Sequence, residues 1–147
     1  MWEDLIRGMS RVSRKLKILY VEDNLDNQLL VQRVLEAEGF EVLGASDAAT
    51  GLQMAQDLRP DLILVDIGLP GTDGYEVTRR LRQMEEQAQT PIVAVTAHVL
   101  RGDREQSLAA GCDGYIPKPI DVDRFPEQVR SFLSLRAEGR MHGHSST

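Results

Sequence analysis

Cysteine is almost missing from this sequence: Cys112 is the single one in 147 residues. One thiol closes no internal disulfide and builds no metal site alone, which excludes a disulfide-stapled secreted scaffold. Aromatic residues are scarce too, at 5%, with one tryptophan. Long apolar runs are absent. The longest, around 62–65, falls far short of the roughly 18 to 20 residues that a bilayer-crossing helix needs. No apolar core followed by a small-residue cleavage site stands at the N-terminus, so nothing there reads as a secretory leader. Basic charge is in deficit as well. The chain carries 17 Lys and Arg against 23 Asp and Glu, a net charge of −6, and residues 18–135 alone hold −10. A body that acidic repels nucleic acid, whose binding needs basic neutralisation of phosphates. The expected setting is the reducing cytoplasm, with no membrane and no direct nucleic-acid partner.

What is present is an alternation. Five short apolar runs stand at 18–21, 42–45, 62–65, 92–95 and 115–116. Near-continuous runs of this length suit strands covered on both faces. Helical spacing fills the intervals. Leu30, Val31, Val34 and Leu35 form one stripe, with Asp26 as candidate cap and Gly39 as stop. Ala48, Leu52, Ala55 and Leu58 form a second, capped by Asp47 and closed before Pro60. A third stretch runs over 75–87, a fourth over 99–110, and a fifth over 124–135 with Pro126 in its first turn. Five βα units imply an α/β fold: a doubly wound, flavodoxin-like five-stranded parallel sheet of order 2-1-3-4-5.

Ligands of such sheets sit beyond the carboxyl ends of the strands. There the sequence places Glu22 and Asp23 after the first strand, Asp66 after the third, Thr96 after the fourth and Lys118 after the fifth. Taken singly, each is a cap, a turn residue or a surface charge; all five at the correct strand ends are not explained that way. Two carboxylates about 4 Å apart repel by roughly 4 kcal/mol at an effective dielectric near 20, so the cluster calls for a cation. All-oxygen ligation suits Mg²⁺, with Mn²⁺ second. A carboxylate can also attack phosphorus, and Thr96 and Lys118 suit the oxygens of a phosphoryl group.

These residues lie in four segments: Lys17-Ile-Leu-Tyr-Val-Glu-Asp-Asn24, Pro60-Asp-Leu-Ile-Leu-Val-Asp-Ile-Gly-Leu-Pro-Gly-Thr-Asp-Gly74, Pro91-Ile-Val-Ala-Val-Thr-Ala97 and Ala110-Gly-Cys-Asp-Gly-Tyr-Ile-Pro-Lys-Pro-Ile120. In this order and spacing the sequence resembles the receiver domain of two-component response regulators. The resemblance implies that Asp66 accepts a phosphoryl group from a histidine kinase or a histidine phosphotransfer protein. It implies that Glu22, Asp23, Asp66 and the backbone carbonyl of Gly68 hold Mg²⁺, and that Thr96 and Lys118 contact the phosphoryl group. Tyr115 is the matching switch aromatic, moving with Thr96, and Lys118-Pro119 is the matching cis step. Signalling then passes to a downstream protein through the face of the fourth helix, fifth strand and fifth helix, in a monomer or a phosphorylation-linked dimer. Gly68 and Leu69 depart from the common pattern and bear on phosphoryl lifetime. His98 is either a helix-start surface residue or a modulator of water and partner entry. Gly102 weakens the fourth helix by about 1 kcal/mol relative to Ala.

The expected organisation is an N-terminal extension at 1–15, including a short amphipathic stretch, a receiver domain at 16–135 and a flexible polar tail at 136–147. A stand-alone regulator is the leading reading, with a receiver excised from a hybrid kinase or larger regulator as the alternative. Three other functions fit the residues less well. A phosphatase of the haloacid dehalogenase type wants an acid/base Asp where Gly68 stands. A flavin binder wants a phosphate-cradling loop where Glu22-Asp23-Asn24 repels phosphate. A phosphate-independent docking module would lack a pocket residue, and none is lacking. The expected class is a signalling receiver rather than an enzyme with outside substrates.

Overall fold

The computed structural model describes residues 15–68, 73–97 and 103–134. The chain alternates β1 (Lys17–Val21), α1 (Leu25–Glu36), β2 (Glu41–Ala45), α2 (Ala48–Leu58), β3 (Leu62–Asp66) and α3 (Gly74–Gln83). A 3-10 turn (Glu85–Gln87) then leads to β4 (Ile92–Thr96), α4 (Asp103–Ala110), β5 (Gly114–Pro117) and α5 (Phe125–Ser134). The strands form one parallel sheet in the order β2-β1-β3-β4-β5, as the alternation implied. The expectations placed on the N-terminal stretch, Leu69, His98, Gly102 and the polar tail lie outside the described residues.

Pleating divides the sheet into two cores, because successive side chains of a strand point to opposite faces. Ile18, Tyr20, Leu62, Leu64, Val93, Val95 and Ile116 point to one face and pack under Val31 and Leu35 of α1 and Phe125 and Val129 of α5. Leu19, Val21, Ile63, Val65, Ile92 and Ala94 point to the other and meet Ala55 of α2, Val77 and Leu81 of α3, and Cys112. Each large side chain fully buried this way contributes about 1.5–3 kcal/mol. Both faces of β3 and β4 are buried without interruption, which is why those two strands read as continuous apolar runs.

Three local expectations are corrected. The cap of α1 is Asn24, whose side chain accepts from the Asn27 amide, and Asp26 lies inside the first turn. An Asn one step earlier leaves Asp26 free to meet the positive end of the helix dipole. Leu30 faces outward at 39% exposure, and Val31 and Leu35 carry the buried edge of the stripe. The third stretch does not run unbroken to residue 87. Met84 takes an extended conformation (φ −77°, ψ 128°), which ends α3 and starts a separate 3-10 turn. Asp47 does cap α2, through the Thr50 amide.

Candidate functional site

The carboxyl ends of β1, β3, β4 and β5 stand at one level, since Val21 pairs with Val65, Asp66 with Val95, and Thr96 with Pro117. Glu22 and Asp23 follow β1 at the point where the winding reverses, the crevice position of an open α/β sheet. One oxygen from each of Glu22, Asp23 and Asp66 lies within 4.8 Å of the other two. Glu22 and Asp66 are buried, whereas Asp23 is exposed. The Lys118 ammonium sits 3.0 Å from Glu22 Oε1 and 3.2 Å from Asp66 Oδ1. Thr96 is buried at the end of β4. The Lys118-Pro119 bond is cis.

The backbone positions Asp66 closely. The Gly68 amide donates to Asp66 Oδ1 at 3.0 Å. Gly74, at the start of α3, lies so near that a Cβ there would stand 2.5 Å from the Asp66 carbonyl oxygen and 2.7 Å from Ile67 Cα. Only glycine permits this approach. Asp73 caps α3 by accepting from the Tyr75 amide at 2.9 Å, so the helix begins directly behind the Asp66 loop.

Among the described residues the pocket carries an excess of negative charge: three carboxylates stand with one ammonium. Burial raises the pKa of Asp66, and the neighbouring Glu22 raises it further. Burial also opposes the charge on Glu22, but hydrogen bonds with Asp66, Lys118 and Asn27 outweigh it and hold Glu22 below the ordinary carboxylate range. Lys118 is likewise opposed by burial, and its bonds to Glu22 and the charge of Asp66 raise its pKa nonetheless. A hard divalent cation fits this donor set, because all the ligand atoms are oxygens and the charge excess is negative.

Two partners of Glu22 escaped the sequence reading. The Tyr20 hydroxyl donates to Glu22 Oε1 at 3.1 Å, and the Asn27 side-chain amide donates to the same oxygen at 2.8 Å. Burial first, and then the charge of Glu22, pushes the Tyr20 phenol far above its ordinary range, so the hydroxyl stays protonated and remains a donor. The available signal was spacing: Tyr20 on β1 and Glu22 one residue past its end are two apart and share a face, since the Glu22 amide continues the ladder to the Ala45 carbonyl. Gln28 adds a further hold through its side-chain amide on the Glu22 carbonyl. It lies over Gly44, where a Cβ would run into Gln28 Oε1. Tyr115 is half-buried at the edge of the second core, beside Ser107, Leu108, Asp113, Gly114 and Phe132 around a cavity of about 400 Å³.

The structure is an open doubly wound sheet with an acid cluster and a lysine at its switch point, and comparison with known proteins narrows that class to one family. Residues 18–130 match the family of the response regulator receiver domain. The polar-differentiation response regulator DivK of Brucella anthropi is 42% identical over 116 residues, 79% of this chain and 94% of that protein. The receiver domain of the sensor histidine kinase PA1611 from Pseudomonas aeruginosa, solved with a magnesium ion coordinated in its active-site cleft, superposes with a TM-score of 0.75. It is 36% identical, over 82% of this chain and 99% of that one. The Vibrio cholerae chemotaxis protein CheY4 superposes with a TM-score of 0.78 at 26% identity, over 81% and 99%. The chain belongs to the response regulator receiver family of two-component signalling. No helix among the described residues is long and apolar enough to cross a membrane.

Proposed function

We propose that this chain is a phosphorylation-dependent switch in which Asp66 takes a phosphoryl group from a phosphohistidine of a histidine kinase or histidine phosphotransfer protein. The observation that carries this reading is the convergence of the Glu22, Asp23 and Asp66 oxygens within 4.8 Å, with Lys118 3.2 Å from Asp66 Oδ1. Glu22, Asp23, Asp66 and the Gly68 carbonyl are the groups that would hold Mg²⁺, and the magnesium in the cleft of the PA1611 receiver domain supports the choice of ion. When bound, the cation neutralises the carboxylates and the charge that develops on the transferring phosphoryl oxygens. Asp66 supplies the attacking oxygen. The P–N bond to the donor imidazole breaks as the P–O bond to Asp66 forms, and the imidazole leaves neutral after taking a proton. Lys118 then pairs with a phosphoryl oxygen as a point charge, and Thr96 supplies a hydroxyl.

The donor has an apolar seat beside this chemistry. Leu30, Ala97, Pro119 and Ile120 join Asn27 and Lys118 around a cavity of about 330 Å³, and Leu25 and Leu29 extend the exposed apolar surface along α1. A downstream protein is read as docking on the face of α4, β5 and α5, with Thr96 and Tyr115 coupling that face to Asp66 as a two-state equilibrium. The test is intact mass after incubation with Mg²⁺ and a small phosphodonor. A phosphoryl-sized gain is expected in the wild type and absent in Asp66→Asn or under chelation. No gain in a folded, Mg²⁺-binding protein would favour a phosphate-independent docking module instead.

A further inference from the structure

Three donors meet on one oxygen of Glu22: the Tyr20 hydroxyl at 3.1 Å, the Asn27 amide at 2.8 Å and the Lys118 ammonium at 3.0 Å. All three choose Oε1. Lys118 is shared with Asp66, and in the proposed reaction it turns to the phosphoryl group. Tyr20 has no such second task. Its ring is fully buried in the first core, among Ile18, Val42 and Leu62, so its hydroxyl is the most rigidly mounted of the three donors.

A phenylalanine would fill that core position equally well, and a buried phenol needs a partner for its hydroxyl. The partner here is a glutamate, which is longer than an aspartate and has an additional rotatable bond to settle. With Oε1 committed to protein donors, Oε2 is the oxygen that Glu22 can turn toward a cation.

We propose that Tyr20 is a positioning residue for the metal-binding acid: its core-anchored hydroxyl holds Oε1 of Glu22 and so presents Oε2 toward the cation shared with Asp23 and Asp66. The assignment rests on the reading that these carboxylates hold a divalent cation. Ligands oriented from behind in this way lose roughly 10- to 100-fold in metal affinity when the orienting group is removed.

The experiment is calorimetric titration of the full chain with Mg²⁺, wild type against Tyr20→Phe, together with melting curves with and without the ion. Affinity is expected to fall about tenfold in Tyr20→Phe, and the Mg²⁺-dependent rise in melting temperature should shrink accordingly. A merely structural hydroxyl would shift the melting temperature equally in both conditions, and that result, or unchanged affinity, overturns the proposal. In a Glu22→Asp background the carboxylate stops about one methylene short of the hydroxyl, so Tyr20→Phe should change affinity less than about twofold. A full tenfold loss there would also overturn it. If the wild type itself binds no Mg²⁺, the metal reading fails first and the assignment to Tyr20 falls with it.

Discussion

Two partly buried ion-pair clusters stand at opposite ends of the sheet, and they are built on opposite principles. At the amino end of β4, Arg82 of α3 turns all three guanidinium nitrogens to protein acceptors. It donates to the Gly111 carbonyl at 2.9 Å, to the carbonyls of Gln87 and Thr90 at 2.9 and 2.6 Å, and to Asp113 Oδ2 at 2.7 Å. Asp113 in turn accepts from the Ile92 amide at 2.9 Å. Among the described residues one cation meets one anion here, and three carbonyls take further N–H groups of the arginine. At the carboxyl end, three carboxylates meet one lysine. The balanced cluster ties α3, the turn before β4 and the turn before β5 into one body. Among the described residues the unbalanced one holds more negative than positive charge, which is the electrostatic condition for taking up a cation.

Removing a partner from the balanced end should have the largest effect. Arg82→Ala strands the half-buried Asp113 carboxylate and three carbonyls, and an expected loss of about 3 kcal/mol follows from breaking a largely desolvated pair. Urea unfolding checks this as a lower midpoint at unchanged slope. A loss below about 0.5 kcal/mol, the range of ordinary surface changes, would erase the distinction between the two ends.

The same operation at the unbalanced end should have the opposite sign. Asp66→Asn removes one of the crowded charges, so without Mg²⁺ the variant is expected to be more stable than wild type by about 1 kcal/mol. With Mg²⁺ the wild type should gain stability and the variant little, which melting curves across a Mg²⁺ titration will show. A destabilised, metal-free Asp66→Asn would mean that the acid cluster is balanced after all.

The smallest effect belongs to Cys112, between Gly111 and Asp113 of the Arg82 cluster. Burial pushes its thiol up to about 11. The folded state therefore keeps the proton between the ordinary thiol value of 9.0 and about 11, whereas the unfolded state releases it. Stability from this group is complete below pH 9 and declines as pH rises toward 11. The wild type should thus lose stability above pH 9 relative to Cys112→Ala, and native Cys112 should alkylate far more slowly at pH 8 than in urea. Rapid native alkylation would show that this end of the sheet opens easily.

The two ends also differed in how readily they could be read beforehand. The acid cluster was legible because its members are chemically unusual at strand ends, and five apolar runs locate those ends. The Arg82 cluster was not legible. An arginine on an amphipathic helix has no sequence mark, and three of its four acceptor residues contribute backbone carbonyls, which every residue possesses. Tyr20 was hidden differently: inside a continuous apolar run its ring reads as packing, and only the shared face with Glu22 turns its hydroxyl into a feature of the site. The cap at Asn24 and the break at Met84 were missed because neighbouring residues of similar propensity competed for one helix end.

The linear pattern by itself determined the alternation of strands and helices and the right-handed winding expected of it, and it placed Glu22, Asp23, Asp66, Thr96 and Lys118 at the carboxyl ends of parallel strands. Those properties depend on period and chirality, which are local. Only the tertiary structure decided which oxygen of Glu22 is held and by whom, that Gly74 must lack a side chain behind Asp66, and that Arg82 closes the far end of the sheet. These are contacts between segments distant in sequence or between atoms common to all residues, and distances of that kind exist only once the chain has packed.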